Sequence, residues 1–67
     1  MTVKLSVEGM SCDHCVRAVR EALSKVSGVD RVVDVDRERG DAIVEGHPDV
    51  GALIAAIEEE GYRAKAG

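Results

Sequence analysis

The hydrophobic period of this 67-residue chain alternates between two and about 3.6 along its length, and that alternation limits the fold more than any other feature. Thr2 to Glu8 reads as a half-buried strand, with Val3, Leu5 and Val7 on one side and Lys4, Ser6 and Glu8 on the other. After Cys12 the period becomes helical. Val16, Val19, Leu23 and Val26 form an apolar stripe with Ala18 and Ala22 beside it, and Arg17, Arg20, Glu21 and Lys25 take the wet face. Gly28 is the expected stop just past that helix. Val29 to Asp36 is rich in valine and reads as a second strand, with a bulge suggested by the adjacent Val32 and Val33. Arg37-Glu38-Arg39-Gly40 is a charged hairpin turn. Asp41 to Glu45 reads as a third strand with Ala42 and Val44 inward. His47-Pro48-Asp49 breaks it, and Asp49 is the expected N-cap of a second helix whose buried stripe is Val50, Leu53, Ile54 and Ile57. Gly61 stops that helix, and Tyr62 to Lys65 is a short closing strand.

The order β-α-β-β-α-β predicts an α+β, ferredoxin-like sandwich. Its four-stranded antiparallel sheet carries two helices on one face, and residues 1–67 form a single domain. With no Trp, no Phe and one Tyr, the core must be aliphatic. The name of the fold implies no iron–sulfur cluster, which takes about four thiolates where this chain has two. Thirteen acids against nine bases give a net charge of −4, which argues against nucleic acid as a partner. No run reaches the ~18 apolar residues of a membrane span, so no membrane insertion is expected. Met1-Thr2-Val3-Lys4-Leu5 lacks the apolar run of a signal peptide, and the expected location is the cytoplasm.

Chemistry concentrates in Gly9-Met10-Ser11-Cys12-Asp13-His14-Cys15. Cysteines this close would constrain the unfolded chain very little as a disulfide, and a cytosolic address disfavours one. Metal binding or redox exchange remains. The pair falls where the first strand gives way to the first helix, and the helix N-terminus favours thiolate there. Two soft anions at an exposed loop select Cu(I), Zn, Cd or Hg over Mg and Ca. A structural zinc site wants four protein ligands, whereas a monovalent soft ion is satisfied by two near-linear thiolates. Such a low-coordinate site leaves an open side for a partner's cysteine, which suits transfer rather than storage or catalysis. The chain is therefore not expected to be an enzyme.

The neighbours admit two readings each. Met10 is a thioether ligand or a flexible core filler beneath the loop, the latter being expected. His14 is an auxiliary ligand, a tuner of thiolate acidity or a solvated residue. Tyr62 covers the metal site, plugs the core, or both. Arg17 and Arg20 are a wet helix face or a dock for an acidic partner. Asp30, Asp34, Asp36, Glu38 and Asp41 are expected to serve solubility, being too scattered for a calcium loop. Asp13, flanking the cysteines, favours a divalent ion, while His14 pulls the other way. A thioredoxin-like role is the redox rival, but the only proline, Pro48, lies far from the motif.

Gly9, Met10, Cys12 and Cys15 together form a glycine–Met–x–Cys–x–x–Cys loop, which resembles that of the heavy-metal-associated domain. The likeness extends over the whole chain through Gly28-Val29 and Glu59-Glu60-Gly61-Tyr62. It is strongest to the small bacterial copper chaperones of the CopZ type, which often carry His before the second Cys, as His14 stands here. The resemblance implies that Cys12 and Cys15 bind Cu(I) and pass it to the metal-binding domains of a copper-transporting P-type ATPase. It implies also that Met10 packs inward and that Tyr62 lies near the loop. A monomer is expected, with a copper-bridged dimer as one route to self-association. The alternatives left open are a carrier of Zn, Cd or Hg and a metal-binding domain excised from a transporter. The native-looking Met1 and short tail favour a complete protein.

Overall fold

A computed structural model describes residues 1–67. The elements are β1 (Thr2–Glu8), α1 (Asp13–Ser24), β2 (Val29–Asp36), β3 (Asp41–Gly46), α2 (Val50–Glu59) and β4 (Arg63–Ala66). The strands form one antiparallel sheet in the order β2-β3-β1-β4. Both crossovers place their helices on the same face, giving the expected sandwich. No helix is long and apolar enough to cross a membrane.

The core lies between the sheet and the two helices. Leu5 and Val7 of β1, Ala42 and Val44 of β3 and Val35 of β2 meet Val19 and Leu23 of α1 and Leu53 and Ile57 of α2. These positions follow from the two periods: alternate residues on the strands, and every third or fourth on the helices. The expected inward pair Ala42 and Val44 is fully buried. Val16, Val26, Val50 and Ile54 flank this centre and are half-buried.

Three details differ from the reading of the sequence. First, α1 ends at Ser24 with Lys25 as its cap, two residues short of Val26. Gly28 therefore does not stop the helix. It occupies the tight turn whose Val29 N–H donates to the Val26 carbonyl, and its φ of +94° suits that place. Second, the β2–β3 register shifts between Val29 and Arg31 as well as at the expected bulge, between Val32 and Asp34. The second shift leaves Val33 as an exposed large apolar residue. Third, the acids near the hairpin are not simply scattered in solvent. Arg39 gathers Asp34, Asp36 and Asp41 at 2.8, 3.6 and 3.3 Å, and Lys4 lies 3.8 Å from Asp41. Asp41 is the one buried charged side chain, and these two cations offset the cost of its burial.

The sheet topology sets the site. The end of β1, the start of α1, the β2–β3 turn and the α2–β4 turn all lie at one pole. Val7 N–H donates to the Gly40 carbonyl at 2.7 Å, joining β1 to the hairpin turn there. The α2–β4 turn is held by two bonds, Gly61 N–H to the Glu58 carbonyl and Tyr62 N–H to the Ile57 carbonyl, with Gly61 at φ +94°. That pattern, with Tyr62 against the core beside Ile57, is a Schellman stop. Gly61 ends α2 as expected and aims Tyr62 at the β1–α1 loop.

Candidate metal centre

The β1–α1 loop turns at Gly9, whose φ of +99° suits glycine. The ring of Tyr62 covers this glycine, so that a Cβ there would lie 3.3 Å from Tyr62 Cδ1. Met10 follows and is buried in the aliphatic cluster, pinning the loop to the core. Cys12 is the extended N-cap of α1, at φ −155° and ψ 173°, and its side chain makes no capping bond. Its carbonyl accepts from the N–H groups of Cys15 and Val16, so the helix starts at once and Cys15 lies in its first turn. An extended residue followed by a helical turn swings the two side chains together. Cys12 Sγ and Cys15 Sγ are 3.4 Å apart, both free and both half-buried.

The Cys15 thiol is lowered from 9.0 to about 6. The Tyr62 hydroxyl is the largest cause, followed by the Ser11 backbone and the Cys12 thiol, against an opposing effect of burial. Tyr62 is in turn pushed up to about 12, first by its hydrogen bond to Cys15, then by burial and by the charge of the neighbouring thiolates. Tyr62 thus remains a hydroxyl donor throughout the range in which Cys15 ionises. The first turn of α1 adds a positive helix end to the same sulfur.

No group of three or more His, Cys, Asp or Glu side chains is placed to hold a metal ion. His14 is exposed on the first turn of α1 and does not join the sulfur pair. His47 lies in the β3–α2 turn at the opposite pole, its N–H donating to the Gly28 carbonyl. Asp13, also exposed, is paired with Arg37 of the β2–β3 turn at 3.8 Å. The candidate residues that meet are therefore Cys12, Cys15 and Tyr62, with Met10 beneath them. Arg37 reached this pole without any signal in the sequence, because only the hairpin geometry brings it to Asp13.

The sequence pattern of the heavy-metal-associated domain matches residues 4–63. This chain belongs to the heavy-metal-associated family. As a heavy-metal-associated domain it is similar to proteins of two sizes. It is 43% identical over 60 residues to copper-transporting ATPase 1 of Rhizobium meliloti, and 42% identical over 64 residues to the mercuric reductase of Shewanella putrefaciens. These matches take 88% and 94% of the chain but only 7% and 12% of those longer proteins. It is also 42% identical to the copper chaperone CopZ of Staphylococcus haemolyticus, over 91% of the chain and 93% of that protein. Among solved structures it superposes on a CopZ metallochaperone with a TM-score of 0.89 at 38% identity, covering 97% of this chain and 100% of the other. The domain thus shares its sandwich and strand order with metal carriers of its own length.

Proposed function

We propose that this domain is a cytoplasmic copper chaperone. Cys12 and Cys15 hold one Cu(I), and the domain delivers it by thiolate exchange to the metal-binding domain of a copper-transporting P-type ATPase. The observation that carries the reading is the isolated sulfur pair, 3.4 Å apart at a solvent-facing loop with no third ligand beside it. Two thiolates satisfy a monovalent soft ion and leave a zinc ion under-coordinated. At a metal–sulfur bond near 2.3 Å, a linear arrangement needs about 4.6 Å between sulfurs and a tetrahedral edge about 3.8 Å. Either one asks the pair to spread, and Cys12, outside the helix, is the residue free to move. The partner's first thiolate meets the open side, forms a three-coordinate copper and releases Cys12, and the partner's second thiolate then bonds the copper and releases Cys15. No bond of the protein backbone and no redox change takes part, so the role is carriage rather than catalysis. Relatives of this length that are named copper chaperones support the reading, and the match to a copper-transporting ATPase supports a partner built on the same fold.

Titration of the reduced protein with Cu(I) against a competing chelator tests it. One copper per chain is expected, abolished by Cys12→Ser with Cys15→Ser. Absence of stoichiometric binding, or binding that survives the double substitution, sinks the proposal. The same titration read by sedimentation reports whether copper bridges two copies.

A second reading is carriage of another soft metal. It is favoured by Asp13 beside the cysteines and by the likeness to a mercuric reductase. Parallel competition with Zn(II) and Hg(II) separates it from the first.

A further inference from the structure

Asp13 immediately follows Cys12, yet its carboxylate does not turn to the sulfurs. Its side chain is 91% exposed, and its ion-pair partner is Arg37, with Nη1 3.8 Å from Asp13 Oδ1. Arg37 is the first residue of a turn with little freedom. Asp36 Oδ1 accepts from the N–H groups of Glu38 and Arg39 at 2.8 and 3.1 Å, and Gly40 N–H returns to the Asp36 carbonyl. A fixed turn therefore presents a cation to the one carboxylate placed between the two cysteines.

The geometry points to Arg37 as a metal-specificity residue: by holding the Asp13 carboxylate on the hairpin turn, it withholds the oxygen donor that a divalent ion would recruit as a third ligand. This inference rests on Cys12 and Cys15 being the metal ligands. A divalent ion on two thiolates is electrically neutral and short of its preferred four donors, and carboxylate oxygen is an acceptable ligand to zinc. Cu(I) on the same two sulfurs needs nothing more, so the position of Asp13 leaves it unaffected. The pair thus acts on the difference between two affinities rather than on either alone, by opposing the unwanted ion. The size of the effect is bounded. A divalent ion can recruit Asp13 in the native protein by breaking the ion pair, and an exposed pair of this kind is worth at most about a fivefold change in equilibrium.

The test measures Zn(II) and Cu(I) affinities by chelator competition on the full chain carrying Arg37→Gln, Asp13→Asn or both. Arg37→Gln is expected to tighten Zn(II) by about two- to fivefold and to leave Cu(I) unchanged. Adding Asp13→Asn removes the gain. Co(II) serves as a spectroscopic stand-in for zinc, and its ligand-field bands shift in Arg37→Gln and revert in the double variant. Arg17→Gln, which removes the same charge from an exposed site one turn along α1, leaves Zn(II) affinity as it was. The inference is overturned if Arg37→Gln leaves Zn(II) affinity unchanged. It is equally overturned if the double variant keeps the gain, or if Arg17→Gln matches it, since those results belong to overall charge. A wild-type chain that binds neither metal overturns the two-thiolate reading itself. That outcome is distinct from a chain that binds Cu(I) but whose selectivity does not respond to Arg37.

Discussion

Cys15 owes its acidity to residues that no local stretch of sequence brings together. Tyr62 arrives from the far end of the chain, and the Ser11 and Cys12 contacts come from the bend itself. Folding therefore lowers the thiol from 9.0 to about 6. Because the folded state gives up this proton more readily, the contribution to stability grows as pH rises from about 6 to 9 and is lost as pH falls through 6. Thiolate ultraviolet absorbance against pH should show one cysteine titrating near 6. Tyr62→Phe should move that midpoint up by about one pH unit, the worth of a modest hydrogen bond to a charged acceptor. A midpoint unchanged in Tyr62→Phe would leave the hydroxyl without the role assigned to it. Gly9→Val tests the bend. It forces a β-branched side chain to φ +99° and against the Tyr62 ring, at a cost of about 1–2 kcal/mol. Weaker copper retention with an unchanged circular dichroism spectrum is the expected result.

At the scale of elements, the two glycines that follow helices serve different ends. Gly61 terminates α2, and a Cβ there would meet nothing within 4 Å. Gly61→Ala should therefore cost only the backbone strain, about 1 kcal/mol, read as a few degrees in thermal melting. Gly28 instead lies in a turn that packs on β3. A Cβ on Gly46 would lie 2.2 Å from the Gly28 carbonyl oxygen, backbone against backbone, with no side chain able to give way. Gly46→Ala should cost several times as much as Gly61→Ala, and urea midpoints of the two variants compare them directly. Equal midpoints would mean that the β2–β3 strand ends are free to separate. The helix starts follow the same logic. Asp49 caps α2 by accepting from Gly51 N–H at 2.9 Å, whereas Cys12 caps α1 without a side-chain bond. The N-terminus of α1 is left with its positive end facing the sulfurs, a concession of helix stability to the site.

The whole molecule rests on one thin aliphatic layer. Leu5, Leu23, Leu53, Ile57, Val19 and Val44 are its largest fully buried side chains. A domain this small draws roughly 3–5 kcal/mol from such a core. Leu53→Ala, at a site with no exposure, should cost about 2–5 kcal/mol and bring the apo protein to the edge of unfolding. Metal bound only by the folded state adds stability by mass action, so saturating Cu(I) should restore a cooperative melt to this variant. Failure of copper to raise its melting temperature would mean that the loop binds metal independently of the fold.

The order of elements, the inward valines and leucines, the cap at Asp49, the stop at Gly61 and the position of the cysteine pair were all legible along the chain. Each depends on neighbours a few residues away, through a hydrophobic period, a capping group or a backbone angle. The early end of α1, the register shift of β2 between Val29 and Arg31 and the role of Gly28 were not. Those depend on how the β2–β3 hairpin meets the rest of the sheet, where the contact between Gly28 and Gly46 outweighs local propensity. Nor could the chain alone choose between the readings of Tyr62, or gather Asp34, Asp36 and Asp41 around Arg39. Packing placed Met10 in the core and Tyr62 over Gly9. Long-range pairing drew the acids to one guanidinium and Asp13 to another, because charges and rings find their partners through space, whereas periodicity is read along the chain.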